Sequence, residues 1–126
     1  MTTDISTQRK PDTSRGTVIF IGSDIIGRGE NIELGKLLVQ SFLHTLRSMP
    51  DMPESILFMN SGVRLITEGS HVLGELAQLA EVGVELLACG TCLSRLQLSD
   101  KVKVGTVSNM ATITYTMLRA SKVISL

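Results

Sequence analysis

Cys89 and Cys92 are the only two cysteines among 126 residues. They stand two residues apart in LLACGTCLSRLQL, Leu86 to Leu98, where an apolar run gives way to glycine and threonine. A Cys-x-x-Cys pair can hold a metal, close a disulfide, switch redox state or carry sulfur, and in each case the thiolate is the reactive form. Gly90 allows a sharp backbone turn. Thr91 can cap a following helix, and Gly90 and Thr91 together form the loop expected to stabilise a thiolate. Unpaired N–H groups at a helix start favour the thiolate and can lower a thiol pKa from about 8.5 toward neutrality. Read without function, the pair is two small apolar side chains packed under a sheet.

A structural zinc site takes four ligands, and one Cys-x-x-Cys supplies two. The only histidines, His44 and His71, have no partner spacing, so no metal site is expected. Thiol exchange needs access and a suitable leaving thiol, so no organic cofactor is expected. A thioredoxin-like dithiol follows an early strand, whereas this pair follows the third apolar run. No proline after Pro53 is present to hold a substrate disulfide. The loop GSDIIGRGE has glycines at 22, 27 and 29. It matches neither the dinucleotide fingerprint nor a phosphate loop.

The elements that must position the thiols are legible as alternating patterns. TVIFIG (Thr17–Gly22) reads as a strand buried on both faces. In IELGKLLVQSFLHTLR, Leu34, Leu38, Phe42 and Leu46 recur every four residues, flanked by Leu37 and Leu43, and predict a core-facing helix stripe. Asn31 is the expected N-cap, and Pro50 and Pro53 end the helix. SILFMN (Ser55–Asn60) is a second strand and SGVRLITEG a loop with a short turn. SHVLGELAQLAE is a helix capped by Ser70 and stopped at Gly83, with Val72, Leu73, Leu76, Leu79 and Ala80 on one side. VELLAC is strand three and GTCLSRL a short helix or turn. KVKVG (Lys101–Gly105) is strand four. SNMATITYTMLRA is a helix capped by Ser108 with Met110, Ile113 and Met117 facing the core, and KVISL is strand five. Strands alternating with helices predict a three-layer α/β/α fold on a five-stranded, mainly parallel sheet, flavodoxin-like in general appearance.

In such a sheet the loops after each strand gather at the carboxyl edge. They supply Ser23, Asp24, Arg28 and Glu30, then Asn60, Ser61 and Arg64. The cysteine loop and Thr106, Ser108 and Asn109 complete the edge. Arg64, Asn60, Ser108 and Asn109 are the residues expected around the thiols. Arg28 and Arg64 can draw an anion or simply be solvated.

Composition narrows the function. Twelve basic and twelve acidic residues cancel, and aromatic residues are only 3%. That leaves neither the charge nor the stacking surface for nucleic acid. No apolar run approaches the ~20 residues of a membrane helix. Met1 to Arg15 is polar, lacks a signal-peptide core and reads as a flexible tail, with one domain over 16–126. A cytoplasmic location is expected, where a permanent disulfide is disfavoured.

The segments SDIIGRGENIELGKLLVQSFLHTL, FMNSGVRLITEGSHVLGEL, LLACGTCLSRLQL, KVGTVSNM and KVISL occur in order. Together they resemble the DsrE/DsrF-like family, and within it the DsrE-like C-terminal domain of YedF-type sulfurtransferase-like selenium-metabolism proteins. The resemblance covers nearly all of the chain from Gly16 on. It implies a homo-oligomer that carries sulfur as a persulfide on the cysteine after strand three, matching Cys89, with Cys92 as helper. Longer members carry a preceding domain with a Cys-Pro-x-Pro motif. Met1–Arg15 is too short for it, so the expected donor or acceptor is a separate, TusA-like partner. Two other functions are open on the residues themselves: a thiol–disulfide switch, and an assembly subunit with inert thiols.

Overall fold

The computed structural model describes residues 16–126, and the expected tail over 1–15 lies outside the described residues. In chain order the elements are β1 (Thr17–Ile21), α1 (Ile32–Leu46), β2 (Ser55–Phe58), a 3₁₀ segment (Asn60–Ile66) and α2 (Leu73–Glu81). These are followed by β3 (Glu85–Cys89), α3 (Gly90–Arg95), β4 (Thr106–Ser108), α4 (Met110–Arg119) and β5 (Lys122–Ser125).

The sheet order is β4-β3-β2-β1-β5, and every neighbouring pair is parallel. From β1 to β4 the chain steps one way across the sheet, then α4 returns it to β5 beside β1. Right-handed crossovers place the first connections on one face and the return on the other, giving three layers. β2 is central, and all four of its residues are buried. Its apolar run is what a strand covered on both faces requires. The core is aliphatic apart from Phe58 and Cys89, and each fully buried Leu or Ile contributes about 1.5–3 kcal/mol.

Asn31 caps α1 as expected, its Oδ1 accepting the Leu34 N–H at 3.0 Å. The buried stripe keeps the expected Phe42, Leu43 and Leu46 against the core and departs from the expected one in the first half of the helix. Gly35, Val39 and Leu43 face the core, while Leu34, Leu37 and Leu38 are exposed. Apolar residues surround most of the N-terminal half of this helix, so periodicity alone leaves its rotation open. Close packing decides it: a Cβ on residue 35 would meet Ile25 Cβ at 2.8 Å, so the small residue turns inward.

Strand four also moves. Lys101–Gly105 instead runs antiparallel past the end of the 3₁₀ segment, through a Thr67–Val102 bridge, and β4 begins at Thr106. The N–H of Lys103 donates to the Ile66 carbonyl at 2.8 Å, and that of Glu68 to the Lys101 carbonyl at 2.9 Å. The caps shift for a related reason. Asn109, not Ser108, accepts the Thr112 N–H at 2.8 Å, because Ser108 is held within β4. Ser70 accepts the Val72 N–H at 3.2 Å in the turn before α2 and so does not cap that helix. The α4 stripe holds only in part, with Ile113 buried and Met110 51% exposed.

Candidate functional site

β3 delivers the thiols. Its residues from Leu86 to Cys89 are buried, and Cys89 at its carboxyl end is only 2% exposed. α3 starts at once, so Cys92 lies in its first turn, half-buried. The two cysteines approach to 3.2 Å and both are free. A disulfide bond would bring the sulfurs to about 2.05 Å. Cys89 therefore sits behind Cys92, out of solvent.

Cys92 opens onto a cleft of about 460 Å³ at the carboxyl edge of the sheet. Phe20, Met59 and Leu96 give it apolar walls, Gly22, Asn60 and Thr91 line the rim, and among the described residues Arg95 is its one charged side chain. Arg95 and Leu96 follow Cys92 by three and four residues, which places all three on one helix face.

The 3₁₀ segment supplies the direct contact to sulfur. The backbone N–H of Asn60 donates to Cys92 Sγ at 3.1 Å. Asn60 holds φ at +51°, a left-handed conformation that Asn tolerates better than most residues. Gly62 allows the segment to press onto the end of β1. A Cβ there would lie 2.3 Å from the Ile21 carbonyl oxygen. Ser61 ties the segment to the β1 loop by accepting the Asp24 N–H through its Oγ at 3.3 Å.

Burial, the largest influence, pushes the Cys92 thiol up. Its hydrogen bond with Cys89 and the neighbouring charge there push the same way, while the Asn60 N–H works against them. The balance is a thiol held above its ordinary pKa. The expectation of a thiolate favoured by the helix start is not met at Cys92. Desolvation dominates there, and a six-residue helix brings only a small dipole.

The expected site residues divide. Cys89, Cys92, Thr91 and Asn60 come together. Gly90 abuts the end of β4, where a Cβ would lie 3.1 Å from the Ser108 carbonyl oxygen. Arg64 lines a different cleft, Ser108 closes β4, and Asn109 caps α4. Phe20, Met59, Arg95 and Leu96 escaped the sequence reading. The helix spacing of Arg95 and Leu96 from Cys92 was a usable signal. The other two enter through strand register alone. Among the described residues, no three His, Cys, Asp or Glu side chains converge as metal ligands. No helix among them is long and apolar enough to cross a membrane.

Known structures share this arrangement of elements. A protein of unknown function, MTH1491 from Methanobacterium thermoautotrophicum, superposes with a TM-score of 0.63 at 16% identity, covering 89% of this chain and 99% of that one. The ychN protein from E. coli gives 0.60 at 16% identity, covering 90% and 99%. The conserved protein of unknown function BT1422 from Bacteroides thetaiotaomicron gives 0.57 at 13% identity, covering 87% and 94%. The fold is of the YchN/DsrE-like type. No protein-family model and no curated protein matches the sequence. Identities this low carry the fold, while the thiol geometry stands on the chain's own residues.

Proposed function

We propose that this protein relays sulfur as a cysteine persulfide, with Cys92 as the thiol that meets its partners and Cys89 as the resolving thiol behind it. The observation that carries this reading is the asymmetry of the pair: Cys92 lines the cleft, whereas Cys89 is 2% exposed and approaches it to 3.2 Å. These roles are the reverse of those the family resemblance implies, because a donor arriving from solvent meets Cys92 first.

The Cys92 thiolate attacks the outer sulfur of a donor persulfide. A new S–S bond forms at Cys92, the donor S–S bond breaks, and the donor leaves as its thiolate. An acceptor thiolate then takes the outer sulfur and Cys92 leaves as thiolate. Alternatively the Cys89 thiolate attacks Cys92 Sγ, hydrosulfide leaves and a Cys89–Cys92 disulfide closes. A dithiol reductant restores both thiols with two electrons. Such a cycle suits the reducing cytoplasm. The donor and acceptor are thiol proteins of the TusA-like kind, and the exposed Leu34, Leu37 and Leu38 on α1 support a homo-oligomer.

Incubation with a small persulfide donor followed by intact mass measurement tests this. One added sulfur atom is expected on Cys89→Ser and none on Cys92→Ser, while the wild type gains the sulfur and then loses it as hydrosulfide when Cys89 closes the disulfide, ending two hydrogens lighter. No uptake at either cysteine sinks the proposal. The short approach of the two thiols also favours a second reading, a thiol–disulfide switch. That reading predicts a reversible Cys89–Cys92 bond on mild oxidation with no persulfide.

A further inference from the structure

A second cleft lies at the other end of the 3₁₀ segment and, among the described residues, shares no lining residue with the Cys92 cleft. It measures about 260 Å³ and draws charged side chains from separate parts of the chain. Asp24 comes from the β1 loop, Lys36 from α1, Arg64 from the 3₁₀ segment and Glu68 from the turn before α2. Among the described residues, none of these four side chains forms an ion pair or a hydrogen bond with another residue. Opposite charges in so small a space ordinarily pair, so these are held apart by the elements that carry them. His71, also in the lining, has its Nε2 2.9 Å from the Lys36 carbonyl oxygen. A carbonyl only accepts, so Nε2 carries the hydrogen in this contact. Leu65 and Leu98 add an apolar wall.

From this we infer that the cleft binds a small zwitterion, a free α-amino acid with a short apolar side chain. Among the described residues the lining carries two cations and two anions, so a simple anion such as phosphate meets repulsion as well as attraction. A carboxylate and an ammonium on one carbon match both signs at once. Arg64 and Lys36 receive the carboxylate, Arg64 with the fork geometry that suits it. Asp24 and Glu68 receive the ammonium, and the side chain rests on Leu65 and Leu98. The cleft is independent of the thiol chemistry proposed above.

Titration of the full chain with L-leucine, followed by the backbone amide signals of Gly69 and Ser70, tests the inference. The single-charge analogues 4-methylpentanoate and isoamylamine serve as probes of each half. Leucine is expected to shift these signals with at least about tenfold higher affinity than either analogue. Arg64→Gln and Asp24→Asn should each weaken leucine by about tenfold. Neither side chain holds the fold together, and Lys36→Gln provides a third variant if one misfolds. The inference is overturned if leucine produces no shift, if 4-methylpentanoate binds as well as leucine, or if the folded variants bind like the wild type. Alkylation of Cys92 in the same variants reports on the other cleft and is expected to be unchanged.

Discussion

At Cys92 one sulfur experiences opposing influences. Burial and Cys89 favour the thiol, and the Asn60 N–H favours the thiolate. With the pKa raised, the thiolate fraction at neutral pH is smaller than for an ordinary cysteine. Iodoacetamide alkylation of Cys92 should therefore rise about tenfold per pH unit from neutrality and continue to climb past about pH 8.5, where a free cysteine levels off. A plateau below that pH would contradict the assignment. Cys89→Ala removes two of the influences that favour the thiol, and Cys92 should then alkylate several-fold faster at pH 7. Gly62 is the residue on which the sulfur contact depends. Gly62→Ala places a Cβ 2.3 Å from a backbone oxygen, so the 3₁₀ segment must lift. A stability loss of about 1–3 kcal/mol in urea unfolding is expected, typical of overpacking. Cys92 alkylation should change with it as the Asn60 N–H withdraws.

At the scale of elements, the ends are set by single side chains. Asn109 accepts the Thr112 N–H at the start of α4, whereas Ser108 lies inside β4. Asn109→Ala should cost about 1 kcal/mol, the usual loss of an N-cap. Ser108→Ala should stay within about 0.5 kcal/mol. Thermal or urea unfolding of the two variants separates the assignments, and a larger loss at Ser108 would reverse them. The same scale shows what local pattern leaves open. Asn31 and the prolines bound α1 correctly, because capping and ring closure act within a turn. The inward side of α1 is legible only in its second half, where Phe42, Leu43 and Leu46 pack on the core, because Leu34, Leu37 and Leu38 in the first half satisfy a helical period as well as Val39 does. Lys101–Gly105 has the alternation of a strand, yet its partner is the end of the 3₁₀ segment. Pairing partners are not encoded in a period.

For the whole molecule, the order β4-β3-β2-β1-β5 makes β2 the centre and leaves β4 and β5 as edges. All of β2 is buried and all of β5 is exposed. Amide hydrogen exchange should follow this order, slowest in β2 and β3 and fastest in β5 and β4. Equal protection across the sheet would argue for an oligomer that covers β5. The crossing order also determines which loops become neighbours. The 3₁₀ segment after β2 meets α3 after β3 because β2 and β3 are adjacent, and their meeting forms the Cys92 cleft. By itself the sequence determined the alternation of strands and helices, the parallel sheet and the placing of both thiols at its carboxyl edge. Those features follow from local periodicity, turn residues and the handedness of crossovers. Only the tertiary structure decided which thiol faces solvent, that Asn60 donates to it, and that Arg64 belongs to another cleft. Those outcomes rest on strand order, helix rotation and close approaches such as that at Gly62. They are set by packing between residues far apart in the chain, which no local pattern records.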